Sequence, residues 1–133
     1  EGSTKTNTKK GRKITDIKYE KYDLDYHLKK TVPDLKAKFL DIKEKLLELP
    51  NVTELIEQKS GITYRTTKSF VRFEFKKSFI QTLVREPEYD DPKKLVKDVT
   101  TFRWGYKGML KITPTSDMSY VFNIIKQSYS GTL

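Results

Sequence analysis

Residues 70–76 read Phe-Val-Arg-Phe-Glu-Phe-Lys, a run in which apolar and charged side chains alternate. Successive side chains of a β-strand point to opposite faces, so this alternation predicts a strand with one buried face. The face that we expect to meet the core carries Val71, Phe73 and Phe75. The opposite face carries Phe70, Arg72 and Glu74.

Three similar runs lie next to this one along the chain. Together they predict four strands, at residues 52–58, 62–67, 70–76 and 79–85. The short polar connections at 59–61 and 76–78 favour tight turns, so the simplest topology is an antiparallel meander. Residues 109–113 predict a fifth strand.

Helical patterns surround these strands. Residues 33–49 place apolar side chains at spacings of three and four after Pro33, which predicts an amphipathic helix. Asp91-Pro92 resembles a cap followed by a first-turn proline and predicts a second helix over 92–99. The last helix has a predicted apolar stripe of Met118, Val121, Phe122, Ile125 and Tyr129. Residues 14–30 favour an extended lead-in and a short helical turn.

These elements predict an α+β fold. Its order is α-β-β-β-β-α-β-α, with about five antiparallel strands and the helices packed on one face as a two-layer sandwich. The length of 133 residues fits one domain. We expect residues 14–133 to form that domain and residues 1–13 to be a flexible basic arm or linker, since they lack large apolar side chains.

The composition excludes several classes of site. The chain has no cysteine and a single histidine, His27, which excludes disulfides, thiolate metal sites and His-rich metal sites. No apolar run approaches the roughly 18 residues that cross a bilayer, and the N-terminus lacks the apolar core of a signal peptide. We therefore expect a cytoplasmic protein. The net charge of +9 favours a polyanionic partner, and nucleic acid above all.

The second half contains a set of residues that together form a recognisable pattern. It comprises Asp91-Pro92, Leu95, Asp98-Val99-Thr100, Trp104-Gly105, Gly108 and the ending at 124–129. In these residues the chain resembles a bacterial and archaeal C-terminal domain of unknown function. That domain occurs in type IV restriction proteins of the GmrSD kind and in so-called predicted transport proteins. The loop departs from the family pattern, because an earlier glycine is absent and one residue is inserted before Gly108. The resemblance implies an accessory domain of a restriction or defence protein.

Cations and aromatic residues crowd the predicted strands and the tryptophan loop. The candidate phosphate-binding residues are Arg65, Lys68, Arg72, Lys76, Lys77, Arg103 and Lys107. The candidate aromatic surface is Tyr64, Phe70 and Trp104. A sheet face of this kind predicts sequence-independent binding to the phosphate backbone of DNA or RNA. The alternatives are a solvated sheet face for the cations, and for Trp104 a plug that fixes its loop to the sheet.

Two other functions compete with nucleic-acid binding. A protein-interaction or dimerisation module could cover an exposed Phe70, Leu83 or Tyr89, and other domains of a longer parent protein are possible partners. A metal-dependent nuclease is suggested only by Glu74-Phe75-Lys76, without a second carboxylate at a suitable strand end. We therefore expect no catalytic residues, metal or cofactor, a cross-strand charge pair for Glu74, and backbone hydrogen bonds to Asp98.

Overall fold

The computed structural model describes residues 22–100 and 105–133. They form three helices, α1 (Leu24–Leu28), α2 (Pro33–Leu47) and α3 (Met118–Ser130). They also form six strands, β1 (Thr53–Leu55), β2 (Ile62–Arg65), β3 (Ser69–Phe75), β4 (Ile80–Val84), β5 (Lys97–Asp98) and β6 (Gly108–Ile112). No helix in this part of the chain has the length and apolar character that crossing a bilayer requires.

The six strands make one sheet in the order β1-β2-β3-β4-β6-β5, and every neighbouring pair is antiparallel. The first four strands form the predicted meander, and the α+β class is confirmed. The described residues contain six strands where the sequence predicts about five. The additional strand is β5, in which Lys97 lies opposite Met109 of β6.

The helix predicted over residues 92–99 is wrong. Residues 92 and 93 form a turn, and the chain then enters β5. Lys94 has a φ of 53°, which a right-handed helix does not allow. The Asp91 carboxylate accepts hydrogen bonds from the backbone N–H groups of Leu95 and Val96, at 3.1 and 2.8 Å. The Asp-Pro pair therefore closes a loop here.

One apolar core lies between the sheet and the two longer helices. Helix α2 buries its predicted stripe, and Phe39 of α2 packs edge-on against Phe73 and Phe75, with ring centroids 5.2 and 4.8 Å apart. Helix α3 buries Val121 and Ile125 in the same core. Each fully buried large apolar side chain contributes roughly 1.5–3 kcal/mol, so these contacts hold both helices on one face of the sheet.

A β-bulge changes the direction of Phe70. Tyr64 of β2 lies opposite Val71, but the next residue, Arg65, lies opposite Ser69, so β3 contains one extra residue. In a bulge two successive side chains turn toward the same side of the sheet. Phe70 is accordingly fully buried, and its ring packs against Tyr129 of α3 at 5.3 Å between centroids. The prediction from simple alternation, which places Phe70 on the opposite face, is wrong.

Candidate nucleic-acid interface

The predicted cations do not form one patch on the sheet. Lys76 and Lys77 lie in the turn between β3 and β4. Arg65, Lys68 and Lys107 lie toward the other end of β3, which spans about 20 Å at roughly 3.3 Å per residue. The prediction of a continuous basic sheet face is therefore wrong for these residues, although each cation remains individually accessible at the surface.

Arg72 has a structural role in the outer face of the sheet. Its Nε donates to Glu74 at 3.1 Å, and one terminal nitrogen donates to Gln58 and Thr63 at 2.8 and 3.0 Å. The other terminal nitrogen donates to Ser60. The Arg72 side chain is 15% exposed, so little of the guanidinium faces solvent. We conclude that Arg72 ties the 58–60 connection to β3, and that it is poorly placed to hold a phosphate.

Tyr64 and Phe70 do not supply aromatic surface, because both are fully buried. The Tyr64 hydroxyl donates a 2.6 Å hydrogen bond to Glu54, which also pairs with Lys43 of α2 at 3.0 Å. Burial raises the pKa of Tyr64, and the hydrogen bond and negative charge of Glu54 raise it further. The bulge places Phe70 in the core. Neither ring can stack on a base.

Arg103, Trp104 and the arm at residues 1–13 lie outside the described residues. Leu83, which a dimer was expected to cover, is 2% exposed and therefore covered within the chain itself. Tyr89 is half-buried, and its hydroxyl accepts a hydrogen bond from the Glu86 backbone N–H at 2.8 Å. The surface expected for a dimer is therefore largely absorbed by intramolecular packing.

Helix α1 and the residues on either side of it present tyrosines and lysines at one corner of the sheet. Asp23 caps it by accepting the Tyr26 backbone N–H at 2.9 Å, and His27 and Leu28 are buried beneath it. The half-buried rings of Tyr26 and of Tyr22, which precedes the cap, meet edge-on with their centroids 4.9 Å apart. The predicted short helical turn is thus present. The aromatic and basic surface around it is not indicated by the alternation of residues in the strands.

Two lysines lie over the Tyr26 ring, and two more belong to backbone segments that contact the residues after α1. The Nζ atoms of Lys29 and Lys30 lie 5.3 and 4.4 Å from the Tyr26 ring centroid. Lys30 Nζ also donates to the Lys59 carbonyl at 3.2 Å, and the Thr31 hydroxyl donates to the Lys77 carbonyl at 3.4 Å. We call this surface the basic corner, and it comprises Lys29, Lys30, Lys59, Lys77, Tyr22 and Tyr26.

The basic corner carries an excess of positive charge. Within residues 22–100 and 105–133, the ion pairs use Lys43, Lys45 and Arg72, and none uses a lysine of the corner. Its nearest helix contributes two carboxylates, Asp23 and Asp25, and the first of them caps α1. Lys29, Lys59 and Lys77 are exposed. The corner can therefore attract an anion, while Lys30 is partly held by its contacts.

The carboxylates near the sheet lie apart from one another or bind neighbouring side chains. Among the described residues, no three Asp, Glu or His side chains converge closely enough to hold a metal ion. Glu74 accepts from Arg72, two residues along the same strand, and from Gln81 of β4 at 2.9 Å. The ion pair of Glu74 is therefore with a residue of its own strand, so the prediction of a charge pair between strands is wrong. Across the strands, Glu74 accepts a hydrogen bond from the side-chain amide of Gln81.

Several residues that carry the resemblance to the restriction-protein domain make contacts that hold loops in place. Burial raises the pKa of Asp91, but hydrogen bonds from the Tyr120 hydroxyl and the backbone outweigh burial and leave the pKa below its usual range. Asp98 accepts the Thr100 backbone N–H at 2.8 Å, as predicted. A Cβ on Gly108 would collide with the Glu86 carbonyl oxygen. These residues close and brace the loops around β5.

Comparisons with known proteins do not identify a family for this chain. No family model, no curated protein and no solved structure matches it. Its own surface is therefore the guide to what the chain does.

Proposed function

We propose that this domain binds nucleic acid without sequence preference, and that the basic corner supplies the phosphate contacts. The observation that carries the proposal is that the ammonium groups of Lys29 and Lys30 lie over the Tyr26 ring. The backbone of two further exposed lysines, Lys59 and Lys77, is hydrogen-bonded to Lys30 and Thr31. A lysine ammonium is a compact charge that suits phosphate, and its release of counterions from the nucleic acid stabilises the complex at low salt.

The chemistry of the corner favours backbone contact over base readout. Its cations are lysines, whereas specific reading of a base edge is usually made by bidentate side chains such as arginine or asparagine. The tyrosines offer partly exposed rings beside the lysines, which suits a polyanion that also has flat apolar surfaces. We expect the affinity to depend on salt much more than on sequence.

The resemblance to the restriction-protein domain supports the same proposal. A bacterial or archaeal accessory module of a cytoplasmic defence protein would meet DNA or RNA as its natural polyanion. In this proposal the domain positions nucleic acid and performs no catalysis. The net charge of +9 adds a long-range attraction that speeds the encounter.

Fluorescence anisotropy with labelled duplex and single-stranded oligonucleotides tests the proposal. We expect wild-type binding at about 50 mM salt, with a steep loss of affinity as salt rises. The double substitution Lys29→Ala and Lys30→Ala should weaken binding to all sequences alike and reduce the log–log salt slope by about 2.

The matched control removes two exposed lysines at the other end of the sheet, Lys68→Ala and Lys107→Ala. This pair makes the same change in net charge, so it reports the general electrostatic contribution. The proposal requires a smaller change in the salt slope for the control pair. Absence of wild-type binding at about 50 mM salt, or equal effects of the two pairs, would overturn it.

A further inference from the structure

His27 is buried under the basic corner with one ring nitrogen unsatisfied. The residue is 0% exposed, and its ring lies between Tyr26 and Phe75, at 5.2 and 5.8 Å between centroids. Nε2 lies 3.0 Å from the Ile56 carbonyl oxygen. A carbonyl only accepts, so Nε2 carries the hydrogen and Nδ1 is bare. Nδ1 has no hydrogen-bond partner among the described residues.

The neutral ring fits this site and the protonated ring does not. A proton on Nδ1 would add a buried charge and a donor without an acceptor, which proteins avoid. The charged groups around the ring are Lys30 at the end of α1, Arg72 of β3 and Asp23 at the start of α1. The two cations oppose a charge on His27, and the one carboxylate favours it. Burial has the largest effect and lowers the pKa of His27. The hydrogen bond from Nε2 to Ile56 favours the protonated ring, but burial and the two cations outweigh it.

Helix α1 depends on few contacts. It has five residues, too few for a helix to persist alone in water. Its attachments are the His27 hydrogen bond to Ile56, the Lys30 hydrogen bond to Lys59, the Thr31 hydrogen bond to Lys77 and the buried side chain of Leu28. Protonation of Nδ1 leaves the Nε2–H donor to Ile56 in place. It disturbs the site because the buried ring then carries a charge and an unpaired donor.

We propose that His27 is a proton-operated latch: its protonation releases α1 from Ile56, Lys59 and the β3–β4 turn, so that the lysines of the basic corner no longer lie together. The release of α1 follows from the buried ring alone. Its effect on nucleic acid rests on the proposed function. Simple electrostatics would strengthen binding to a polyanion as His27 gains charge, whereas the latch weakens binding on acidification because the lysines lose their common position.

The latch can be tested by nuclear magnetic resonance without any nucleic acid. In the wild-type protein we expect the His27 ring resonances and the α1 amides to change together between about pH 8 and about pH 5. The common midpoint should lie below the ordinary value of about 6.5. Below that midpoint the fraction of molecules in which α1 remains attached falls by up to about tenfold per pH unit. The amides of β3 should keep their chemical shifts.

Two variants make the test specific. His27→Gln keeps a donor for the Ile56 carbonyl but cannot titrate, so the α1 transition should disappear. Lys30→Ala removes one of the opposing charges and should move the midpoint to higher pH, which gives a second readout if the glutamine variant fails to fold. An unchanged α1 while the ring titrates, a transition that persists in His27→Gln, or a ring that stays neutral down to about pH 5 would each overturn the latch.

Oligonucleotide binding and the α1 transition are tested by independent measurements. Wild-type protein that shows the α1 transition but binds no oligonucleotide at neutral pH keeps the latch and loses the proposed function. Protein that binds oligonucleotides but shows no α1 transition has the reverse result. When both hold, anisotropy at constant salt should show weaker binding on acidification for the wild type and no such loss for His27→Gln.

Discussion

The hydroxyl of Ser128 in α3 donates a 2.6 Å hydrogen bond to the carbonyl of Phe70, at the bulge of β3. The same oxygen accepts the Arg85 backbone N–H at 3.1 Å. Arg85 lies one residue beyond the last pair of the β3–β4 ladder, Val71 with Val84. A side chain from a helix thus bridges two strands where their direct pairing stops.

Replacement of that serine should destabilise the fold. Ser128 is 1% exposed, so in Ser128→Ala no water easily replaces the lost hydroxyl, and we expect the free energy of unfolding to fall by about 1–3 kcal/mol. Urea denaturation measures this. Ser130→Ala, two residues along the same helix and exposed, should change it by less than about 0.5 kcal/mol. Equal losses in the two variants would contradict the bridging role.

A side chain at Gly61 should destabilise the fold. It precedes β2, and a Cβ built on it would collide with the Phe73 carbonyl oxygen of β3. Because that oxygen belongs to backbone in the middle of the sheet, we expect Gly61→Ala to lower the free energy of unfolding by about 1–3 kcal/mol. Gly131→Ala is the control, since its nearest atom is 3.5 Å away and its φ is −69°. Thermal denaturation should separate the two variants clearly.

Tyr64 should make the protein sensitive to alkali. Its pKa is raised in the folded state, whereas a tyrosine in the unfolded chain ionises near pH 10. Above about pH 10 the unfolded state therefore releases its proton first, and the free energy of unfolding falls as pH rises. Tyr64→Phe should cost about 0.5–1.5 kcal/mol at neutral pH and show a shallower alkaline decline. Urea denaturation at several pH values compares the two curves, and parallel curves would count against the prediction.

Arg72 should affect stability and not binding. A lysine at this position cannot reproduce hydrogen bonds to four side chains, so Arg72→Lys should lower the free energy of unfolding by about 1–3 kcal/mol. The folded fraction should keep wild-type affinity for oligonucleotides in anisotropy titrations. A loss as large as that of the Lys29 and Lys30 pair would return Arg72 to the interface.

The strands and the two long helices were predictable because their signals are local. Alternation around Val71 and the apolar stripe through Phe39 depend only on residues nearby in the chain. Asp91-Pro92 shows the limit of such reasoning, because the same pair can start a helix or close a turn. The turn forms here with Lys94 at positive φ and the Tyr120 hydroxyl bonded to Asp91, and it therefore depends on packing against α3.

The candidate site was less predictable for a related reason. The sequence singles out Lys77, but the other lysines of the basic corner come from the end of α1 and from residue 59, which are distant along the chain. The pair Tyr22 and Tyr26, whose rings meet edge-on although Tyr22 precedes α1, has no helical or strand pattern that would indicate this contact. Phe70 was misplaced because alternation assumes an unbroken ladder, and nothing in the local pattern shows a bulge.

Because of the bulge, the number of residues in β3 determines whether α3 can make its contacts with the sheet. A chain one residue shorter at position 70 could still form a regular ladder, with Arg65 and Tyr64 facing successive residues. It would lack the ring that packs on Tyr129 and the carbonyl that accepts from Ser128. The extra residue interrupts the regular ladder, and it supplies two of the contacts that hold α3 against the sheet.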